Sequence, residues 1–92
     1  MALHELKSWP AFFGPLSTGA RTHELRRNDR DFRVGDQLLL KEYRPDEGEF
    51  SGAKLLLDVT SITSAQVPCA VSAEGLHQDF CILSVRRHSA VI

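Results

Sequence analysis

The chain has 92 residues, with eleven Lys and Arg against twelve Asp and Glu and a formal net charge of −1. That length suits one domain, 1–92, with a single modest core, and a composition of 42% apolar and 25% charged residues is ordinarily globular. The near-neutral balance argues against a protein that coats nucleic acid through its phosphates at large, and the apolar runs at Leu38–Leu40 and Leu55–Leu57 are far too short to cross a bilayer.

Leu3 to Lys7 reads as a first strand, with His4 and Leu6 on one side and Glu5 and Lys7 on the other. The opening Met1–Glu5 lacks the basic and apolar regions of a secretory signal, so a cytoplasmic location is expected. Ser8 suits the cap of a following helix, and Pro10 is tolerated in its first turn. Trp9, Phe12, Phe13 and Leu16 recur at the spacing of one helical face and are expected to fill the core. Gly14-Pro15 interrupts that pattern, which predicts a short or kinked helix finishing near Thr18 with Gly19 as its left-handed terminator.

The next segment, Arg21 to Arg27, is polar. If it is extended, alternation puts Thr22, Glu24 and Arg26 on one face and Arg21, His23, Leu25 and Arg27 on the other. One face then carries a hydroxyl, an acid and a guanidinium with nothing apolar among them. Only solvent, an ion-pair lattice or a ligand satisfies such a set. Asn28-Asp29 suits a turn, and Phe32 to Asp36 reads as an anchored turn in which Phe32 and Val34 dock while Gly35 lets the backbone reverse. From Arg21 to Arg33 there are five positive and three negative charges, so an anion site belongs here rather than across the whole surface.

A third strand runs from Gln37 to Tyr43, followed by a polar connection, Arg44 to Gly52, whose length predicts a mobile tip. A fourth strand covers Ala53 to Thr63, its leucine run pointing to partial burial on both faces. Ser64 to Gln78 is the least regular part, with a helical turn expected at Ala70 to Glu74. A last strand covers Asp79 to Arg87, and His88 to Ile92 reads as a frayed tail. Cys69 and Cys81 belong to no C-x-x-C knuckle and are expected to be free thiols. The four histidines lack the short spacing of a zinc site, although His4 and His23 would meet if the first two strands were neighbours; no metal and no cofactor is expected. Five strands with one or two short helices make an α+β domain in which a curled sheet buries one core.

Gly19, Arg21, Glu24 and Arg26 fall on the G-x-K-x-x-E-x-R pattern of the ASCH domain family, and the run Arg27-Asn28-Asp29-Arg30-Asp31-Phe32-Arg33-Val34-Gly35-Asp36 resembles the small ASCH proteins of bacteria and their phages. The resemblance implies a PUA-like five-stranded curled β-barrel. It also implies a cleft between barrel and helix that engages RNA or a nucleotide-like ligand. The ligand-binding set it points to is Arg21, Thr22, Glu24, Arg26, Asn28 and Arg30. Arginine offers a fixed fork of donors to phosphate or base acceptors, and glutamate accepts from an exocyclic amine.

Two other readings stay open. Some ASCH relatives remove an acyl group from a modified cytidine and others are ribonucleases, which would make Glu24 and Arg21 the catalytic candidates. The pattern's lysine is Arg21 here, however, and an arginine stays protonated and serves poorly as a base or nucleophile. The relatives' catalytic threonine aligns with Glu24. Alternatively, the acidic tip at 46–49 makes the chain a protein-interaction module. For base stacking, Tyr43 and Phe50 are the aromatic candidates.

Overall fold

The computed structural model describes residues 1–88. Strands β1 (Leu3–Ser8), β2 (His23–Arg27), β3 (Gln37–Arg44), β4 (Glu49–Thr63) and β5 (Phe80–Arg87) are joined by two helices, α1 (Pro10–Thr18) after β1 and α2 (Ser72–Gly75) before β5. The strands form one sheet in the order β1-β3-β4-β5-β2. Only β1 and β3 are parallel; the other neighbours are antiparallel. The chain is therefore an α+β domain built on a mixed, curled half-barrel.

The long strand β4 causes the curl. Its first part pairs with β3 and its last part with β5. The register slips between Lys41 and Tyr43, where Gly52 of β4 takes a φ of 95°, and again between Val59 and Ser61, where Thr60 is extra. An extra residue bends its strand and increases the local twist.

The hollow side is filled by leucines and valines at alternate positions. Leu6 of β1, Leu38 and Leu40 of β3, Leu57 and Val59 of β4, and Cys81, Leu83 and Val85 of β5 are all buried. Helix α1 adds Phe13 and Leu16, and the turn before β3 adds Phe32. Each such side chain contributes roughly 1.5–3 kcal/mol of burial. The ends of β1 and β3 are fixed by Asp36. Its carboxylate accepts from the Ala2 amide (3.0 Å), the Arg33 amide (3.0 Å) and His4 Nε2 (2.8 Å). Burial, the largest single influence, pushes the Asp36 pKa up, but these hydrogen bonds and the nearby His4 charge outweigh it and hold the group below its ordinary value.

Several expectations are corrected by the fold. Ser8 closes β1 and does not cap α1; the cap position is Trp9, with no side-chain bond. The helix does finish at Thr18, with Gly19 left-handed at φ 83°. Strand β2 begins at His23 rather than Arg21. Trp9 and Phe12 are exposed while Phe13 and Leu16 are buried, and of the turn residues Phe32 docks but Val34 does not. The β3–β4 connection is a tight turn instead of a long tip, because Gly48, at φ 67°, lets its amide reach the Arg44 carbonyl at 2.8 Å. His88, expected in the tail, is tied by its amide to the Leu56 carbonyl and by Nδ1 to Asp58; residues 89–92 lie outside the described residues.

Candidate functional site

Strands β1 and β2 are the two edges of the sheet, and the curl brings them face to face. Their backbones do not form a ladder. In a strand, carbonyls two residues apart point to the same edge, and those of Glu5 and Lys7 are met by guanidiniums. Arg30 Nη1 donates to Glu5 O at 3.0 Å and Arg26 Nη2 to Lys7 O at 2.8 Å. Side chains thus close the seam that backbone groups leave open.

At the end of this seam, beneath the first turn of α1, lies a hollow of about 340 Å³. Glu24 and Arg26, two apart on β2, point into it. Glu24 is only 4% exposed, and its registered partner across the sheet is the fully buried Leu83. A carboxylate beside the apolar core is costly unless it is paired. The pairing is with Arg26, whose Nε and Nη2 both lie 2.7 Å from Glu24 Oε2. Among the described residues, both contacts are to Oε2, and Oε1 accepts no hydrogen bond.

Three further groups line the same space. Ser8 is 3% exposed, and its Oγ is the buried side-chain polar atom, among the described residues, with no hydrogen-bond partner. A buried hydroxyl without a partner costs about 1–3 kcal/mol. Trp9 and Phe12 are 54% and 40% exposed, with ring planes 22° apart and centroids at 6.4 Å. Arg21 lies over Phe12, its Cζ 4.8 Å from the ring centre, and its Nε donates to the His23 carbonyl.

Of the residues predicted from sequence, Arg21, Glu24 and Arg26 meet at the hollow. Arg21 joins the other two despite its odd position because it precedes β2, where strand alternation does not govern its direction. The other three lie apart. Thr22 is exposed and contributes a backbone carbonyl to Val85. Asn28 bonds Gln66 at 3.3 Å, and Arg30 is engaged at the seam. His4 and His23 do not form a pair: His4 is held by Asp36, and His23 is exposed on β2. Among the described residues no cluster of three or more His, Cys, Asp or Glu is placed to hold a metal ion, and no helix is long and apolar enough to cross a membrane.

Sequence reasoning missed Ser8, Trp9 and Phe12. Ser8 was recoverable, since carrying the inward series His4, Leu6 one step further reaches it. The aromatic pair was not. Helical spacing gives direction around the axis but not position along it, and the first turn of α1 overhangs the core that Phe13 and Leu16 enter.

Over residues 3–85 the chain matches the family described as a domain of unknown function, DUF3850. It is also similar to an uncharacterised 12.9 kDa protein in the GpA 3′ region of Escherichia phage P2, with 33% identity over 61 residues. Those residues are 66% of this chain and 54% of the phage protein, so the chain spans about half the length of that relative.

Proposed function

We propose that this chain, which belongs to the DUF3850 family, binds RNA or a nucleotide-like ligand in the hollow between β1, α1 and β2. The observation that carries the reading is the meeting, in one concavity, of a buried acid–guanidinium pair with a free carboxylate oxygen, a buried unpartnered hydroxyl and an exposed aromatic pair. A nucleotide base has a flat face for stacking and an edge that mixes donors and acceptors, and each of these groups answers one part of it. Trp9 and Phe12 offer the face contact. Glu24 Oε1 accepts from an exocyclic amine, and Ser8 Oγ either donates or accepts. Arg21 supplies charge for a phosphate. The fit of Gly19, Arg21, Glu24 and Arg26 to the ASCH pattern supports the same reading, and the curled five-stranded sheet accords with it. Two free thiols accord with a reducing, cytoplasmic setting.

Trp9 is the chain's one tryptophan, so its fluorescence reports the hollow directly. Titration with nucleoside monophosphates and with short single-stranded RNA is expected to quench it, with an affinity that falls as salt rises. Arg21→Ala should weaken binding about tenfold, corresponding to the loss of one charge-assisted contact. Unchanged fluorescence and no measurable binding across the panel would overturn the proposal. Release of a cleaved product during the same titrations would turn it toward an enzyme.

A further inference from the structure

The sequence holds three lysines, and the sheet sets all of them in one row. Lys7 of β1 is the registered partner of Lys41 of β3, and Lys41 is the registered partner of Lys54 of β4. Registered partners project from the same face, and like charges placed opposite one another destabilise a sheet. The carboxylate that answers them is Glu5, whose Oε1 lies 2.7 Å from Lys41 Nζ. Among the described residues, Glu5 is the acid in ion-pair contact with this row of three ammonium groups.

Next along the same pair of strands, Tyr43 and Phe50 are registered partners with their rings edge to face at 5.0 Å, and Phe50 is half exposed. Lys7 links this patch to the hollow. Its Nζ lies 4.3 Å from the Tyr43 ring centre and 5.8 Å from that of Phe50, while the residue also lines the cavity of Glu24 and Arg26. A second concavity, of about 420 Å³, runs along β1 between the two. It is shared by Lys7 and Arg26 and bordered by Lys41 and Phe50.

From these positions we infer that the ligand is an extended single strand of nucleic acid of two or more nucleotides rather than a free mononucleotide. One base enters the hollow, the backbone crosses the seam, its phosphates lie over Lys7, Lys41 and Lys54, and a neighbouring base stacks on Phe50. Alternating stacking surfaces and cations is how a protein holds a single strand, and a duplex would hide the base faces this arrangement requires. The inference rests on the nucleotide-binding reading of the hollow and assigns its ligand class.

The test compares a fluorescein-labelled single-stranded RNA of about six nucleotides with the four nucleoside monophosphates, using wild type, Lys54→Ala and Phe50→Ser. Both substitutions are at exposed positions. The oligomer should bind wild type at least about tenfold more tightly than any mononucleotide. Each variant should weaken the oligomer about three- to tenfold and leave mononucleotide binding unchanged. In Lys54→Ala the salt dependence should also fall, by about 0.7 in the slope of log affinity against log salt. Oligomer affinity that matches the mononucleotides, or that ignores both variants, would overturn the inference while leaving the hollow's assignment in place. Failure of every nucleotide and oligomer to bind would remove both together.

Discussion

Arg26 Nη2 donates to the backbone carbonyl of Lys7 at 2.8 Å while lying 2.7 Å from the carboxylate of Glu24. One guanidinium therefore helps to close the sheet's open seam, neutralises a buried acid and walls the hollow. Stability and binding are coupled at this residue, and substitutions at and around it separate them.

Arg26→Ala leaves Glu24 buried and uncompensated. The expected loss is about 3 kcal/mol, toward the low end for a broken buried pair because Arg26 is partly exposed. In a domain of this size that lowers the melting temperature by more than about 10 °C. Replacing both Glu24 and Arg26 by Met should restore most of the stability but not the binding. Calorimetry of the single and double variants checks this, and a double variant no more stable than Arg26→Ala would contradict it.

Ser8→Ala has the opposite sign. Removing a buried hydroxyl that has no partner leaves stability unchanged or raises it by about 1 kcal/mol, while ligand affinity drops about fivefold. Denaturant titration beside fluorescence titration measures both. A clear loss of stability would mean that the hydroxyl is already satisfied in the free protein.

Asp36 contributes to the acid side of the stability curve. Its folded pKa lies below the ordinary 3.8, so its contribution is complete above that value and is lost as pH falls through the lower folded one. Asp36→Asn should cost about 2–3 kcal/mol near neutral pH, since the amide nitrogen of Asn would face the Ala2 or Arg33 donor. Its stability should also fall less steeply than wild type below about pH 4. Melting curves between pH 2 and pH 7 compare the two slopes.

The two thiols should react at different rates. Cys69 is exposed and Cys81 is buried, and burial, followed by the charge of Asp29, pushes the Cys81 thiol up. One equivalent of an aromatic disulfide reagent should react promptly, and the second only on addition of denaturant. Two prompt equivalents would contradict the position of Cys81 in the core.

Alternation and turn chemistry carried most of the fold. The inward leucines of β3 and β4 and the inward residues of β5 follow a period of two, and Gly19 ends α1 by its positive φ. Alternation also carried Glu24 and Arg26 to a common face, because a strand with no apolar residue on its inner side must aim at something polar. What failed depended on axial position or on a partner distant in sequence. The seam that engages Arg30 needs the Glu5 carbonyl, 25 residues away. The tertiary fit of α1 decided which aromatics stayed outside, and the lysine row exists only once three strands are in register.

The strand order bears on how the molecule assembles. β3, β4 and β5 follow one another in sequence and in space, whereas β1 and β2 attach at opposite margins to partners made later in the chain. Short-range pairings form with less loop entropy to overcome, so the central meander is expected to nucleate folding and the two outer strands to dock last. Those late strands hold Ser8, Glu24 and Arg26, so backbone amides around the ligand cavity should exchange with deuterated solvent sooner than those of Leu57 or Leu83, and a bound molecule should slow them.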